Sequence, residues 1–305
     1  MKFTIYQESR VGKRRNNQDR LAHCYSRDAL LMVVADGMGG HLHGEVAAQI
    51  AVQYLTEAFQ REAKPRLTDP FMFLAGSLQN AHRAVQDYAL AKRLPEAESP
   101  RTTCVACIVQ DSVAYWAHAG DSRLYTLREG RVLAKTRDHS TVQSMIDEGH
   151  LTAAEAVSHP LRNRIYSCLG GVQNPQLDFS RKTTLQAGDV IALMSDGVWG
   201  PLTDQQIVAA LHGRDVRQAV PGLLDEAERM GGPNCDNLSL VAMAWGENYG
   251  EEVTTSVETQ SLPFDGHSTQ MPEFDHRSLP LPELSDDDIE RAIDEIRNAI
   301  KKHSK

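Results

Sequence analysis

The chain has 305 residues, 41% of them hydrophobic, and a net charge of −9 at neutral pH, a length that accommodates one catalytic domain of about 240 residues plus an appendage. Residues 247–305 hold 14 acidic and 6 basic side chains, so −8 of the −9 is a property of the tail. The nearly neutral remainder has no basic stripe, which excludes nucleic acid as the partner.

Met1-Lys-Phe-Thr-Ile-Tyr6 has no apolar signal core, and no apolar run approaches the ~18 residues of a membrane span. A soluble, reduced, cytoplasmic protein is expected. The run Leu30-Leu-Met-Val-Val34 then reads as a buried strand and ends in Ala35-Asp36-Gly37-Met38-Gly39. A strand thus delivers one carboxylate to a point where the backbone carries no bulk. Gly44-Glu45 opens a helical segment with apolar Ala47, Ile50, Ala51, Tyr54, Leu55, Ala58 and Phe59 on one face. A second carries Phe71, Leu74, Leu78, Ala81, Val85 and Tyr88.

From Thr102 onward the pattern is that of strands, at 104–109, 113–118, 123–127 and 132–135. Asp111-Ser112 and Arg128-Glu-Gly130 supply the turns of an antiparallel meander. Cys104 and Cys107 match a CxxC spacing, but three residues apart on a strand they face opposite ways and read as small buried apolar groups. Val190-Ile-Ala-Leu-Met194 runs into Ser195-Asp196-Gly197, helical stretches follow at 204–211 and 216–230, and Asp236-Asn237 precedes the strand Leu238-Ser-Leu-Val-Ala242. Asp-Gly alone is a common turn signal. Three strands that each present an Asp at one end point instead to a carboxylate-rich site for hard divalent cations. Strands that outnumber their helices, with the helices grouped, fit an α+β fold of stacked antiparallel sheets.

Beyond residue 246 the chain is polar and proline-containing, and 247–284 is expected to be a disordered linker. Ser285-Asp-Asp-Asp288 then reads as a helix start, with Ile289, Ile293, Ile296 and Ile300 on one stripe and Lys301-Lys302 in the last turn. An amphipathic helix over 285–303 is marginal alone. It is expected to dock, either back onto the core or onto a partner. Thr259 and Thr269 sit in a ten-residue echo and are candidate phosphorylation sites for a phosphothreonine-reading partner.

Arg14-Arg-Asn-Asn-Gln18-Asp19, Ala35-Asp-Gly-Met-Gly-Gly-His41, Gly120-Asp-Ser-Arg123, Arg137-Asp-His-Ser140, His159-Pro-Leu-Arg-Asn163, Ser195-Asp-Gly197 and Gly231-Gly-Pro-Asn-Cys-Asp-Asn237 occur in the order seen in one family. Residues 1–246 resemble bacterial metal-dependent serine/threonine protein phosphatases of type 2C. The resemblance implies a four-layer α-β-β-α sandwich. It implies hydrolysis of phosphoserine and phosphothreonine in proteins by a metal-bridged hydroxide at a binuclear Mn2+ or Mg2+ site, opposing a cognate Ser/Thr kinase. By the same resemblance Asp36 bridges two tightly held metals, the Gly37 carbonyl serves one, and Asp196 and Asp236 complete the other. Asp121 with Asp196 holds a third, weaker metal. Asp19 orients water, Arg14 clamps the phosphate, and His139, His159 and Arg162 contribute substrate contacts from a flap at 138–165. Met38 stands where eukaryotic relatives carry a general-acid His, which leaves that role to water or another His. Gln18 replaces a frequent Glu, and Arg101 a frequent Gly. His41-Leu-His43-Gly-Glu45 superficially matches the motif of a binuclear zinc hydrolase but lacks the Asp-His pair such a site requires. Met38 and Gln18 hint at a phosphopeptide-binding pseudophosphatase, and the retained Asp36, Asp121, Asp196 and Asp236 speak against it.

Overall fold

A computed structural model of the chain describes residues 1–38, 43–156, 158–246 and 256–271. In chain order the strands are β1 (Lys2–Arg10), β2 (Asp19–Tyr25), β3 (Ala29–Met38), β4 (Arg101–Thr102), β5 (Cys104–Gln110), β6 (Val113–Ala119), β7 (Arg123–Arg128), β8 (Arg131–Lys135), β9 (Leu169–Gly170), β10 (Asp178–Phe179), β11 (Thr183–Thr184), β12 (Val190–Met194), β13 (Leu238–Trp245), β14 (Val257–Glu258) and β15 (Ser268–Gln270). The helices are α1 (Gly44–Glu62), α2 (Pro70–Ala91), α3 (Thr141–Asp147), α4 (Ala153–Ala156), α5 (Asp196–Trp199), α6 (Asp204–Leu211) and α7 (Val216–Gly231).

The expected meander is present, and its turns have a local cause. Asp111 and Ser112, with φ of 53° and 56°, join β5 to β6, and Glu129 and Gly130, with φ of 49° and 71°, join β7 to β8. Two consecutive positive-φ residues give a turn whose twist matches that of the flanking strands. One sheet runs β10-β6-β5-β3-β2-β15, with β4, β9 and β11 attached beside it; the other runs β14-β1-β13-β12-β7-β8. All the pairings are antiparallel.

Burial explains why the strands are apolar throughout rather than alternating. On β3, Leu31, Val33 and Ala35 pack against α1 and α2, while Leu30, Met32 and Val34 pack between the sheets. On β12, Ile191 and Leu193 join the same inter-sheet cluster, and Ala192 and Met194 face α6 and α7. Four layers in the order α-β-β-α follow. Cys104 and Cys107 divide between the helix-facing and inter-sheet clusters, as their spacing predicts. The helix starts are set by side chains. Asp69 accepts from the N–H groups of Phe71 and Met72 ahead of α2, and Thr203 with Gln206 forms a capping box on α6.

One expectation fails. Within the presumed linker, residues 256–271 are built into the core: β14 extends one sheet beside β1, and β15 extends the other beside β2. The Met1 ammonium donates to Thr259 Oγ1 at 2.7 Å, and Thr259 is fully buried. Thr259 therefore cannot accept a phosphate while the segment is seated. Thr269 donates to the Cys24 thiol at 3.0 Å. Strands of two or three residues, anchored by single apolar side chains such as Val257 and Met271, leave no period to read in the sequence. The helix expected over 285–303 lies outside the described residues.

Candidate active site

The acids converge because both sheets end at one edge. Asp19 opens β2, Asp36 lies near the end of β3, and the register sets them directly opposite each other. Like charges across an antiparallel pair repel. From the other sheet, Asp121 precedes β7, Asp196 follows β12 as the first residue of α5, and Asp236 precedes β13. The strands β7, β12 and β13 are neighbours. Close backbone approach is essential here. A Cβ on Gly37 would lie 2.3 Å from the Gly44 backbone, and one on Gly197 would lie 2.0 Å from the Asn237 carbonyl oxygen. Only glycine permits either contact.

Polar side chains fix the acids in place. Ser195 Oγ donates to Asp19 Oδ2 at 2.7 Å and accepts from the Ser239 N–H at 3.0 Å, which ties β2 to the opposite sheet. The Asp36 carbonyl accepts from the Thr103 N–H and from the Thr102 hydroxyl, both at 2.9 Å. Asn237 accepts from the Gln18 N–H at 2.9 Å and donates to the carbonyls of Val11 and Asn16. The loop carrying Arg14 is thereby stapled to the head of β13. Sequence reasoning missed these roles for Ser195, Thr102, Thr103 and Asn237. Ser195 and Asn237 sit inside quoted motifs and Thr102 and Thr103 follow Arg101, but no spacing rule distinguishes a ligand from the residue that holds it.

Arg14 grips Asp236 with both arms of its fork, Nε to Oδ1 at 2.8 Å and Nη2 to Oδ2 at 2.6 Å. Gln18 donates its amide to Glu45 on α1 at 3.2 Å, a place where a carboxylate at position 18 would repel. Met38 pairs across to Arg101 and has no ionisable proton.

The electrostatics call for a cation. Burial, reinforced by Asp19, Asp196, Asp121 and Asp236, holds the Asp36 carboxyl well above the usual carboxylate range. Burial also pushes Asp19 up to about 7 and, with repulsion from Asp236, Asp196 to about 6. Asp121 is raised by burial and then by Asp196, and its Oδ1 is buried with no hydrogen-bond partner. Four carboxylates facing one another, one with an orphaned oxygen, fit hard divalent cations. The donors are oxygens throughout, which suits Mn2+ or Mg2+ rather than Zn2+.

Among the predicted substrate contacts, His139 is corrected. It is 1% exposed, stacked on His118 with ring centroids 4.6 Å apart, and cannot meet a substrate. A polar residue beside Asp138 reads as loop surface, but the loop folds back over it. His159 is partly exposed, and its Nδ1 accepts from the Leu161 N–H at 3.2 Å. Arg162 is exposed on the same segment. Of the zinc-like motif, His41 lies outside the described residues, and Glu45 is engaged by Gln18.

This fold is that of a phosphatase family. A family model described as Protein phosphatase 2C matches residues 7–221, and the chain belongs to that family. It is similar to the serine/threonine protein phosphatase PstP of Mycobacterium tuberculosis, at 36% identity over 232 residues. That match covers 75% of this chain and 42% of PstP, so the chain spans less than half of that relative's length. Protein phosphatase PhpP of Streptococcus pneumoniae is 30% identical over 249 residues, covering 78% of this chain and 96% of PhpP. Among solved structures, a PstP catalytic domain in complex with two manganese ions aligns with a TM-score of 0.68 at 31% identity, covering 80% of this chain and 98% of that one.

Proposed function

We propose that the chain is a metal-dependent hydrolase of phosphoserine and phosphothreonine in proteins, reversing the action of a bacterial Ser/Thr kinase. The observation that carries this reading is the convergence of Asp36, Asp121, Asp196 and Asp236 from both sheets with Arg14 at their rim. Asp36, the Gly37 carbonyl, Asp196 and Asp236 would hold two Mn2+ or Mg2+ ions, and Asp121 with Asp196 a third, weaker one. When bound, such ions act as Lewis acids that lower the pKa of water and draw charge from the phosphoryl oxygens.

The remaining work belongs to side chains. Arg14 presents a planar fork, and a phosphate dianion offers it the same paired oxygens that Asp236 offers now. Transfer of that fork from Asp236 to the substrate would fix the phosphorus and free the Asp236 carboxylate, whose Oδ1 also accepts from the Asn237 N–H, to help hold a cation. Asp19, held by Ser195, would orient the attacking water. Proximity and charge stabilisation are what phosphoryl transfer chiefly requires of a protein. His159 and Arg162 lie on the outer segment, where they would meet the polypeptide around the phosphorylated residue.

Chelation tests the reading. Removal of divalent cations should abolish hydrolysis of p-nitrophenyl phosphate and of a phosphothreonine peptide, and added Mn2+ should restore both. Turnover unaffected by chelator would contradict it.

A further inference from the structure

His139 is buried where no substrate reaches, yet it makes two hydrogen bonds to one residue. Its backbone N–H donates to the Gly120 carbonyl at 2.9 Å, and its ring Nδ1 accepts from the Gly120 N–H at 3.2 Å. Gly120 has φ of +107° and leaves no room for a side chain, because a Cβ there would lie 2.6 Å from Thr103 Cβ. The next residue is Asp121, the acid with the orphaned Oδ1. The Asp121 carbonyl is held in turn by Trp199 Nε1–H at 3.0 Å. Arg123 stacks on Trp199 at 3.4 Å from the ring centroid and grips Asp138, the neighbour of His139, through two 2.8 Å bonds. The His139 and Trp199 bonds act directly on the Gly120–Asp121 peptide, and Arg123 ties Trp199 to the neighbour of His139.

We propose that His139 is a positioning residue, which fixes the Gly120–Asp121 backbone and so holds the Asp121 carboxylate ready for the third, weaker divalent cation. The proposal rests on the metal-dependent reading above. It also assigns the tautomer: with Nδ1 accepting from Gly120, the ring proton is on Nε2, which lies 3.4 Å from Asp178 Oδ2. The ligand atoms of His118, His139 and Asp178 all lie within 4.8 Å of one another and could be mistaken for a metal site. A metal on His139 Nε2 would move the proton to Nδ1 and expel the Gly120 N–H. The cluster is therefore a support for the Asp121 segment, anchored through His139 Nδ1 to the Gly120 N–H and through His118 Nε2 to the Arg137 carbonyl, and a cation that captured it would release that segment.

The test titrates Mn2+ calorimetrically into the full chain and counts bound Mn2+ by electron paramagnetic resonance. The wild type should show two tight events and a weaker third. His139→Ala should weaken the third by roughly 10–100-fold, the usual consequence of losing a residue that orients a ligand, and leave the tight pair unchanged. In His139→Asn an amide oxygen can replace Nδ1, so the third event should be retained; His139→Gln places its amide at the Nε2 position and should behave as Ala. The Asn and Gln pair carries the test if Ala fails to fold. Trp199→Phe, which keeps the ring but loses the donor, should also weaken only the third event. The proposal is overturned if Asn and Gln behave alike, if all three events weaken together, or if the wild type binds only two ions. Failure of the wild type to bind any Mn2+ would instead overturn the metal-dependent reading itself.

Discussion

Arg14 illustrates how one residue can be recognised by type and still need its structure. Motif order marks it as a phosphate clamp, and its fork is found closed on Asp236, a carboxylate of the candidate metal site. Its guanidinium is held above its ordinary pKa first by that hydrogen-bonded pair, so it is cationic at any working pH. Arg14→Ala should lower kcat/KM by about 1.5–3 kcal/mol, roughly 10- to 150-fold, the value of a charge-assisted phosphate contact. Arg15→Ala should have a much smaller effect. Steady-state kinetics on a phosphothreonine peptide decide between them, and equal losses would remove Arg14 from the clamp. Acids at strand ends beside glycine were legible in the sequence because an apolar run marks the strand and the Gly marks the close approach. The register that opposes Asp19 to Asp36 was not legible, since nothing local encodes which strand pairs with which.

At the scale of elements, β1, β2 and β15 are joined by a buried polar link. His23 Nδ1 meets Gln7 Oε1 at 2.8 Å, and Gln7 Nε2 donates to the Gln270 carbonyl at 3.2 Å. Burial depresses the His23 pKa from 6.5 to about 4. The unfolded chain therefore binds the extra proton first as pH falls. The stability due to neutral His23 is complete above about pH 6.5 and is lost as pH falls toward 4, by roughly 3 kcal/mol. Thermal melts across this range, with Mn2+ saturating so that the acid cluster stays ionised, should fall more steeply for the wild type than for His23→Gln. Parallel curves would show that His23 titrates without cost. Helices were read well at this scale: α6 and α7 carry caps and an apolar face that the local sequence spells out. The seating of β14 and β15 was not, because it depends on backbone pairing with strands more than 200 residues away.

For the whole molecule, residues 256–271 close the end where the chain begins. They cover an edge of each sheet, bury Thr259 against the Met1 ammonium, and give Gln7 its backbone acceptor. Uncovered sheet edges and buried polar groups without partners both cost stability. A chain ended after Gly246 should therefore melt at a lower temperature than one ended after Met271. Identical melting temperatures would make the segment incidental. The count and grouping of strands were enough for an α+β fold of stacked antiparallel sheets, and the four-layer order came only with the resemblance. The inward folding of His139 was not, because a histidine beside an aspartate in a loop has no local mark of burial.

The central claim is that carboxylates from two sheets form one cation-dependent phosphatase site, in which Asp36 would help hold the tightly bound metals. Asp36→Asn tests it most directly, by Mn2+ titration calorimetry and peptide dephosphorylation on the same preparation. The account predicts a folded protein that loses turnover together with tight Mn2+ binding. Normal turnover, or full Mn2+ binding by that variant, would contradict it.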